Sequence, residues 1–177
     1  MRETLIETPP RTIMEVYKNL PEGTLAELID NVIYMSPSPI YKHQSVLQAI
    51  FRKLCDEITD KQKGEVIIAP FDVYLDEVSN AVQPDIVVIL EGTKGLDPTG
   101  HFHGVPDLLI EILSGNKSHD LVKKKELYER FGVKEYWVIN PEIRLAQGFQ
   151  WKNGKYVSLN DQNGKIESPL LGVTVSF

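Results

Sequence analysis

Five polar side chains stand where the surrounding sequence calls for apolar ones: Glu27, His43, Asp85, Glu111 and Lys124. Glu111 lies inside the run Leu108-Leu109-Ile110-Glu111-Ile112-Leu113, which reads as a strand buried on both faces. An uncompensated carboxylate there would cost several kcal/mol, so the sequence demands a cation, either from the protein or as a bound metal. Asp85 follows Pro84 at the start of a second apolar run ending at Leu90. Taken alone it is an ordinary turn or strand-starting aspartate. If the two runs pair antiparallel, however, Asp85 falls beside Glu111. Two adjacent carboxylates repel unless a divalent cation lies between them, and hard oxygen ligands of this kind suit magnesium.

A lysine and two further polar groups point the same way. At 100° per residue, Leu121, Leu127, Tyr128 and Phe131 share an arc that also holds Asp120 and Lys124, whereas Lys123, Lys125, Glu126, Glu129 and Arg130 fall outside it. An Asp120 to Lys124 pair at i, i+4 is the alternative account, worth roughly 0.2 to 0.5 kcal/mol. His43 sits at the centre of the arc made by Val46, Leu47, Ile50, Phe51 and Leu54, which equally suits a hydrogen-bonded core histidine. Glu27 alternates with Leu25 and Ile29, so a face that buries those two receives a carboxylate, unless the segment is exposed on both sides. His101 and His103, in the loop from Gly95 to Gly104, are candidate ligands for a different reading, a metal-dependent hydrolase of a small phosphate or carboxyl substrate.

The elements that must position these groups follow from periodicity and turn chemistry. Thr12 and Glu15 have the form of a capping box opening a helix through Tyr17. Leu25 to Ile29 and Val32 to Met35 flank Asp30-Asn31, a pair suited to a tight hairpin. A helix runs from His43 to Ile58. Strands are expected over 66–75, 85–90 and 107–113, a second helix over 120–131 ending at Gly132, and a strand over 135–140. Asn153-Gly154 and Asn163-Gly164 both read as hairpin turns in the C-terminal part.

Length and composition bound the reading. The 177 residues suit a single domain spanning 1–177, with a loose arm over 1–11 and hairpins over 142–177. No apolar run approaches a membrane span, and the N-terminal stretch carries Glu3, Glu7 and two prolines where a leader would be basic and then apolar, so the expected location is cytoplasmic. Cys55 is the sole cysteine, which excludes an internal disulfide and a thiolate metal centre. The net charge of -6 excludes binding to nucleic acid through bulk positive charge. Locally, Lys117 to Lys134 holds six Lys or Arg against three Asp or Glu. That excess is either a solvated helix face or a phosphate track in which Lys117, Lys123 and Lys125 touch nucleic acid.

In their order the motifs resemble the Uma family of endonucleases, within the restriction-endonuclease-like PD-(D/E)xK superfamily. The matching stretches are Glu27-Leu28-Ile29-Asp30, Ser36-Pro37-Ser38-Pro39 with His43, Gln83-Pro84-Asp85-Ile86-Val87-Val88, and Pro106 through Ser114. They continue through Asp120, Lys124 and Tyr128 to Gly132-Val133-Lys134-Glu135-Tyr136-Trp137. The resemblance implies an α/β fold: a restriction-endonuclease-like mixed sheet with an αβββαβ core flanked by helices, an N-terminal hairpin and a C-terminal hairpin extension. It also implies a metal-dependent DNA endonuclease in which Asp85 and Glu111 hold Mg²⁺ or Mn²⁺, Glu27 is a further ligand or base, His43 lines the site, and Asp120 and Tyr128 support it. Leu113 stands where the superfamily normally has a lysine, and Lys124 on the following helix is the candidate replacement. Gly115-Asn116-Lys117 departs from the family's proline-containing segment. A second expectation is a nuclease-fold protein that binds nucleic acid or a protein partner without cutting. DNA affinity is expected to be weak, salt-sensitive and metal-dependent, and cutting both strands of a duplex would favour a homodimer.

Overall fold

A computed structural model describes residues 9–114 and 118–177, with the side chains of 118–121 excepted. Most of the expected arm, the Gly115-Asn116-Lys117 departure and the Asp120 side chain therefore lie outside the described residues. Helix α1 (Ile13–Lys18) starts at Thr12, whose hydroxyl accepts from the Glu15 N–H. The Glu15 carboxylate reaches back one residue further than a capping box requires, to the Arg11 N–H. Strands β1 (Ala26–Ile29) and β2 (Val32–Met35) form the expected hairpin, with Asp30 and Asn31 both at positive φ, 48° and 64°. Helix α2 (Tyr41–Leu54) buries His43, Leu47, Ile50 and Leu54 at spacings of four, three and four, then widens into a π-helical turn (Cys55–Thr59).

The expected strand over 66–75 is two strands in two sheets. Strand β3 (Gly64–Ile68) stops before Ala69-Pro70, where proline offers no ladder N–H, and β4 (Val73–Tyr74) belongs to another layer. Strands β5 (Ala81–Val82), β6 (Ile86–Leu90), β7 (Phe102–His103) and β8 (Leu108–Ile112) follow. Helix α3 (Ser118–Phe131) then carries the chain to β9 (Glu135–Asn140), which lies parallel to β8, as a helical crossover requires. The remaining strands are β10 (Leu145–Lys152), β11 (Lys155–Ser158), β12 (Gln162–Asn163), β13 (Lys165–Ser168) and β14 (Val173–Ser176).

Among the described residues the strands make three sheets. The central one runs β11-β10-β9-β8-β6-β3 with β12 on β10; a second runs β2-β1-β5-β4-β7; β13 and β14 pair alone. Asn153-Gly154 turns the β10–β11 hairpin as expected. Asn163-Gly164 does not turn a hairpin: β12 pairs with β10 and β13 with β14, so the chain leaves one sheet for another there. The long apolar strands β6, β8 and β9 are covered on both faces. One face packs Ile86, Val88, Ile110 and Trp137 against α2 and the β13–β14 hairpin. The other packs Val87, Leu109, Tyr136 and Val138 against Leu127 and Tyr128 of α3 and against Val73 and Val82 of the second sheet. The architecture is the expected mixed α/β fold, and no helix among the described residues is long and apolar enough to cross a membrane.

Candidate active site

The register of two antiparallel strands brings the acids together. Ile86 pairs with Ile110 and Val88 with Leu108, so one step beyond β6 places Asp85 beside Glu111. Asp85 Oδ2 accepts the Ile112 N–H at 2.6 Å, which fixes that carboxylate against the end of β8. The same oxygen lies 3.2 Å from His43 Nε2. A carboxylate oxygen accepts, which puts a proton on Nε2, while Nδ1 is buried and without a hydrogen-bond partner among the described residues.

Lys124 points inward, as its place on the helical arc predicts. The Asp120 side chain lies outside the described residues; among those described, Lys124 meets a pair of carboxylates. Nζ donates to Glu111 Oε1 at 2.9 Å and pairs with Glu27 Oε2 at 2.8 Å. The ammonium thus sits between two acids contributed by different sheets. Glu27 and Glu111 are each 7% exposed and Lys124 9%. Tyr128, one turn further along α3, donates its hydroxyl to the same Glu111 oxygen at 2.8 Å. The cation that the sequence demanded for Glu111 is therefore supplied by the chain.

The electrostatics follow from that burial. Desolvation raises the Glu111 carboxyl to about 7, with Glu27 and Asp85 adding repulsion and Lys124 opposing. For Lys124 burial works the other way, toward the neutral amine, yet Glu111 and Glu27 outweigh it and hold the ammonium above its ordinary value. Lys124 is a committed cation. Burial also pushes the Tyr128 hydroxyl well up, so that it stays a donor.

The acids, His43 and Lys124 line one cavity of about 270 Å³, together with Tyr34, Met35, Pro37, Pro39, Leu113 and Lys123. Glu27, His43, Asp85, Glu111 and Lys124 are all brought to it. Lys123 reaches the cavity too, donating to the Tyr34 hydroxyl at 3.0 Å. Lys125 does not: its Nζ lies 4.4 Å from the centre of the Phe149 ring. Much of the expected basic track is spent within the fold, because Arg130 pairs with Asp30 and Lys134 with Asp107. His101 and His103 are also elsewhere. His103 stacks on Tyr74 and pairs with Glu77 and Asp97, and neither histidine lines the cavity.

Residues that sequence reasoning passed over hold Glu27 in place. Glu27 Oε1 accepts the Gln83 N–H at 2.9 Å, and the Gln83 amide donates to Asp72 and to the Thr24 carbonyl. Asp72 in turn accepts from the Tyr17 hydroxyl, which is also 3.0 Å from the Ala26 carbonyl. The signal was partly visible: Gln83 stands immediately before Pro84-Asp85.

The oxygen donors suit a hard divalent cation, which commonly uses one or two carboxylates and completes its shell with water and substrate phosphate. The carboxylates do not form a preassembled cage: among the described residues no group of three His, Cys, Asp or Glu is arranged to hold a metal ion. The reason is geometric, since Lys124 Nζ occupies the space between Glu27 and Glu111.

A solved crystal structure of a protein from Anabaena variabilis ATCC 29413, described as a putative nuclease belonging to DUF820, has the same fold. It superposes with a TM-score of 0.76 over 94% of this chain and 95% of that one at 17% identity. No curated protein matches the sequence. The model of the family Uma2, described as "Putative restriction endonuclease", matches residues 14–176, nearly the whole chain, and the protein belongs to that family.

Proposed function

We propose that the protein is a metal-dependent DNA endonuclease that hydrolyses phosphodiester bonds at the cavity holding Asp85, Glu111 and Lys124. The observation that carries this reading is the placement of Lys124, from the helix after β8, on the Glu111 carboxylate whose neighbour along the sheet is Asp85. Asp85 and Glu111 would hold Mg²⁺ or Mn²⁺, with Glu27 the further ligand or the base. Once bound, the metal lowers the pKa of a coordinated water and offsets charge on the phosphate. Lys124, being charged, cannot take a proton from water; it orients the nucleophile and meets negative charge that develops on the phosphate. His43 holds Asp85 through Nε2, and Tyr128 holds the Glu111 oxygen that Lys124 also uses. Leu113 contributes apolar surface where the superfamily has its lysine.

Incubating the purified protein with supercoiled plasmid and Mg²⁺ or Mn²⁺ tests the reading. Nicked or linear product that disappears in Glu111→Ala is expected. Absence of product with every divalent metal, or product unchanged in Glu111→Ala, overturns it.

One observation favours a second reading. Lys124 already compensates Glu27 and Glu111, which a binding protein of this fold would need and a catalytic site must rearrange. Binding of DNA or of a protein partner that is indifferent to metal and to Glu111→Ala would establish it.

A further inference from the structure

The nuclease reading leaves open which form of DNA enters the cavity, and its walls bear on that question. The carboxylates lie at the bottom of a recess, and the wall above them is apolar: Tyr34, Met35, Pro37 and Pro39 line it. Along the chain, the segment that supplies this wall runs on into some of the most exposed large apolar side chains among the described residues. Met35 is 66% exposed, Ile40 58%, and Tyr41, the first residue of α2, 87%. A monomeric surface seldom concentrates such groups in seven residues without a use. Tyr34 also carries a cation on its ring face, Lys123 Nζ at 4.9 Å from the centroid, so an aromatic plane and a positive charge are presented together at the mouth.

We infer that the substrate of this site is an unpaired DNA strand, whose bases stack on Tyr34 and Tyr41 while its phosphate descends to the acids. The inference rests on the nuclease reading. Three features argue for an unpaired strand. A phosphate of an intact duplex is held on a stiff double strand and cannot follow a recess whose two glutamates are about nine-tenths buried. A single strand can enter alone. The cavity of about 270 Å³ is near the lower limit of small-ligand pockets, the scale of one nucleotide and not of a groove. Finally, Arg130, Lys134 and Lys124 already face carboxylates, which lessens what these three offer a densely charged duplex. Aromatic planes with a few cations are what single-strand sites use, because every base has a stackable face.

Fluorescence anisotropy of the full chain with a short labelled oligonucleotide, alone and annealed to its complement, tests this in EDTA and in calcium. Cleavage of both substrates in Mn²⁺ is followed in parallel. The expected result is tighter binding of the single strand with a shallower salt dependence. Tyr41→Ala, which removes an exposed ring and should leave the circular dichroism unchanged, weakens strand binding roughly 5- to 100-fold and leaves duplex binding as it was. Tyr34→Ala has the same selectivity. Equal or tighter binding of the duplex overturns the inference, as do variants that shift both substrates alike or neither. Strand preference without any cleavage overturns the nuclease reading and keeps this one; Glu111-dependent cutting of the duplex alone does the reverse.

Discussion

Two glutamates are buried in neighbouring strands of the same sheet, and the protein treats them differently. Glu135 opens β9 and is fully buried. It accepts from the Trp137 indole N–H at 2.6 Å and from the Leu170 N–H at 2.8 Å, both neutral donors fixed by the fold. Its task is to tie the segment joining β13 and β14 to the central sheet. Glu111 in β8 is bonded to a mobile kind of partner, a lysine ammonium, and to a tyrosine hydroxyl, and it borders a cavity. Burial raises both carboxyls, Glu111 to about 7. The lesson is that burial of an acid does not identify a site. A structural acid is closed off by backbone and ring donors, whereas a candidate catalytic acid is held by a charge that can be redistributed and has open space beside it.

Removing the lysine should separate the two most strongly. Lys124→Met strands Glu27 and Glu111 without a cation and is expected to destabilise the fold by about 3–5 kcal/mol near neutral pH, read by urea denaturation. Lys124→Met combined with Glu111→Gln should recover part of that loss. Next in size is catalysis: Glu111→Ala should lower cleavage by at least about 10²–10³-fold, the cost of losing one group that stabilises developing charge. Glu135→Ala should leave the rate per folded molecule unchanged. If both variants lose activity equally at matched stability, the distinction drawn between the two acids is wrong.

Titration gives a further contrast. With a folded value near 7 against an ordinary 4.5, Glu111 keeps a proton in the folded protein that the unfolded chain has released. That contribution is fully present below pH 4.5 and is lost as pH rises toward 7, by roughly 3 kcal/mol at most. Metal-free Glu111→Gln should lack this decline; an identical pH profile in wild type and variant would show that Lys124 keeps Glu111 ionised throughout. The smallest expected effect is that of Glu135→Gln, which leaves one of its donors without an acceptor at a cost of about 1–3 kcal/mol.

How far the sequence foretold this arrangement depends on the range of each interaction. The β1–β2 turn, α2, α3 and β9 were legible because their signals are local: paired turn residues, helical spacing, a glycine stop. The neighbourhood of Asp85 and Glu111 was legible because two long apolar runs buried on both faces pair within one sheet. Strands β5 and β7 were not, since two residues carry no period, and they form only because the second sheet supplies partners. The misread Asn163-Gly164 turn has the same origin: its neighbours pair with strands distant in sequence. At the site, the helical arc pointed Lys124 inward but could not name Glu27 as a partner, because a helix wheel holds only the residues of its own helix. The network from Gln83 to Asp72 and Tyr17 includes a bond between residues 55 apart in sequence and left only the Gln83-Pro84-Asp85 adjacency as a trace.

The double engagement of Lys124 also has a mechanical side. Glu27 belongs to the hairpin sheet and Glu111 to the central one, so a single ammonium fastens two layers at the cavity. Whatever draws that ammonium toward one carboxylate loosens the other layer. The backbone amides of β1 and β2 would then open as a unit of low local stability, and their hydrogen exchange would register what occupies the site.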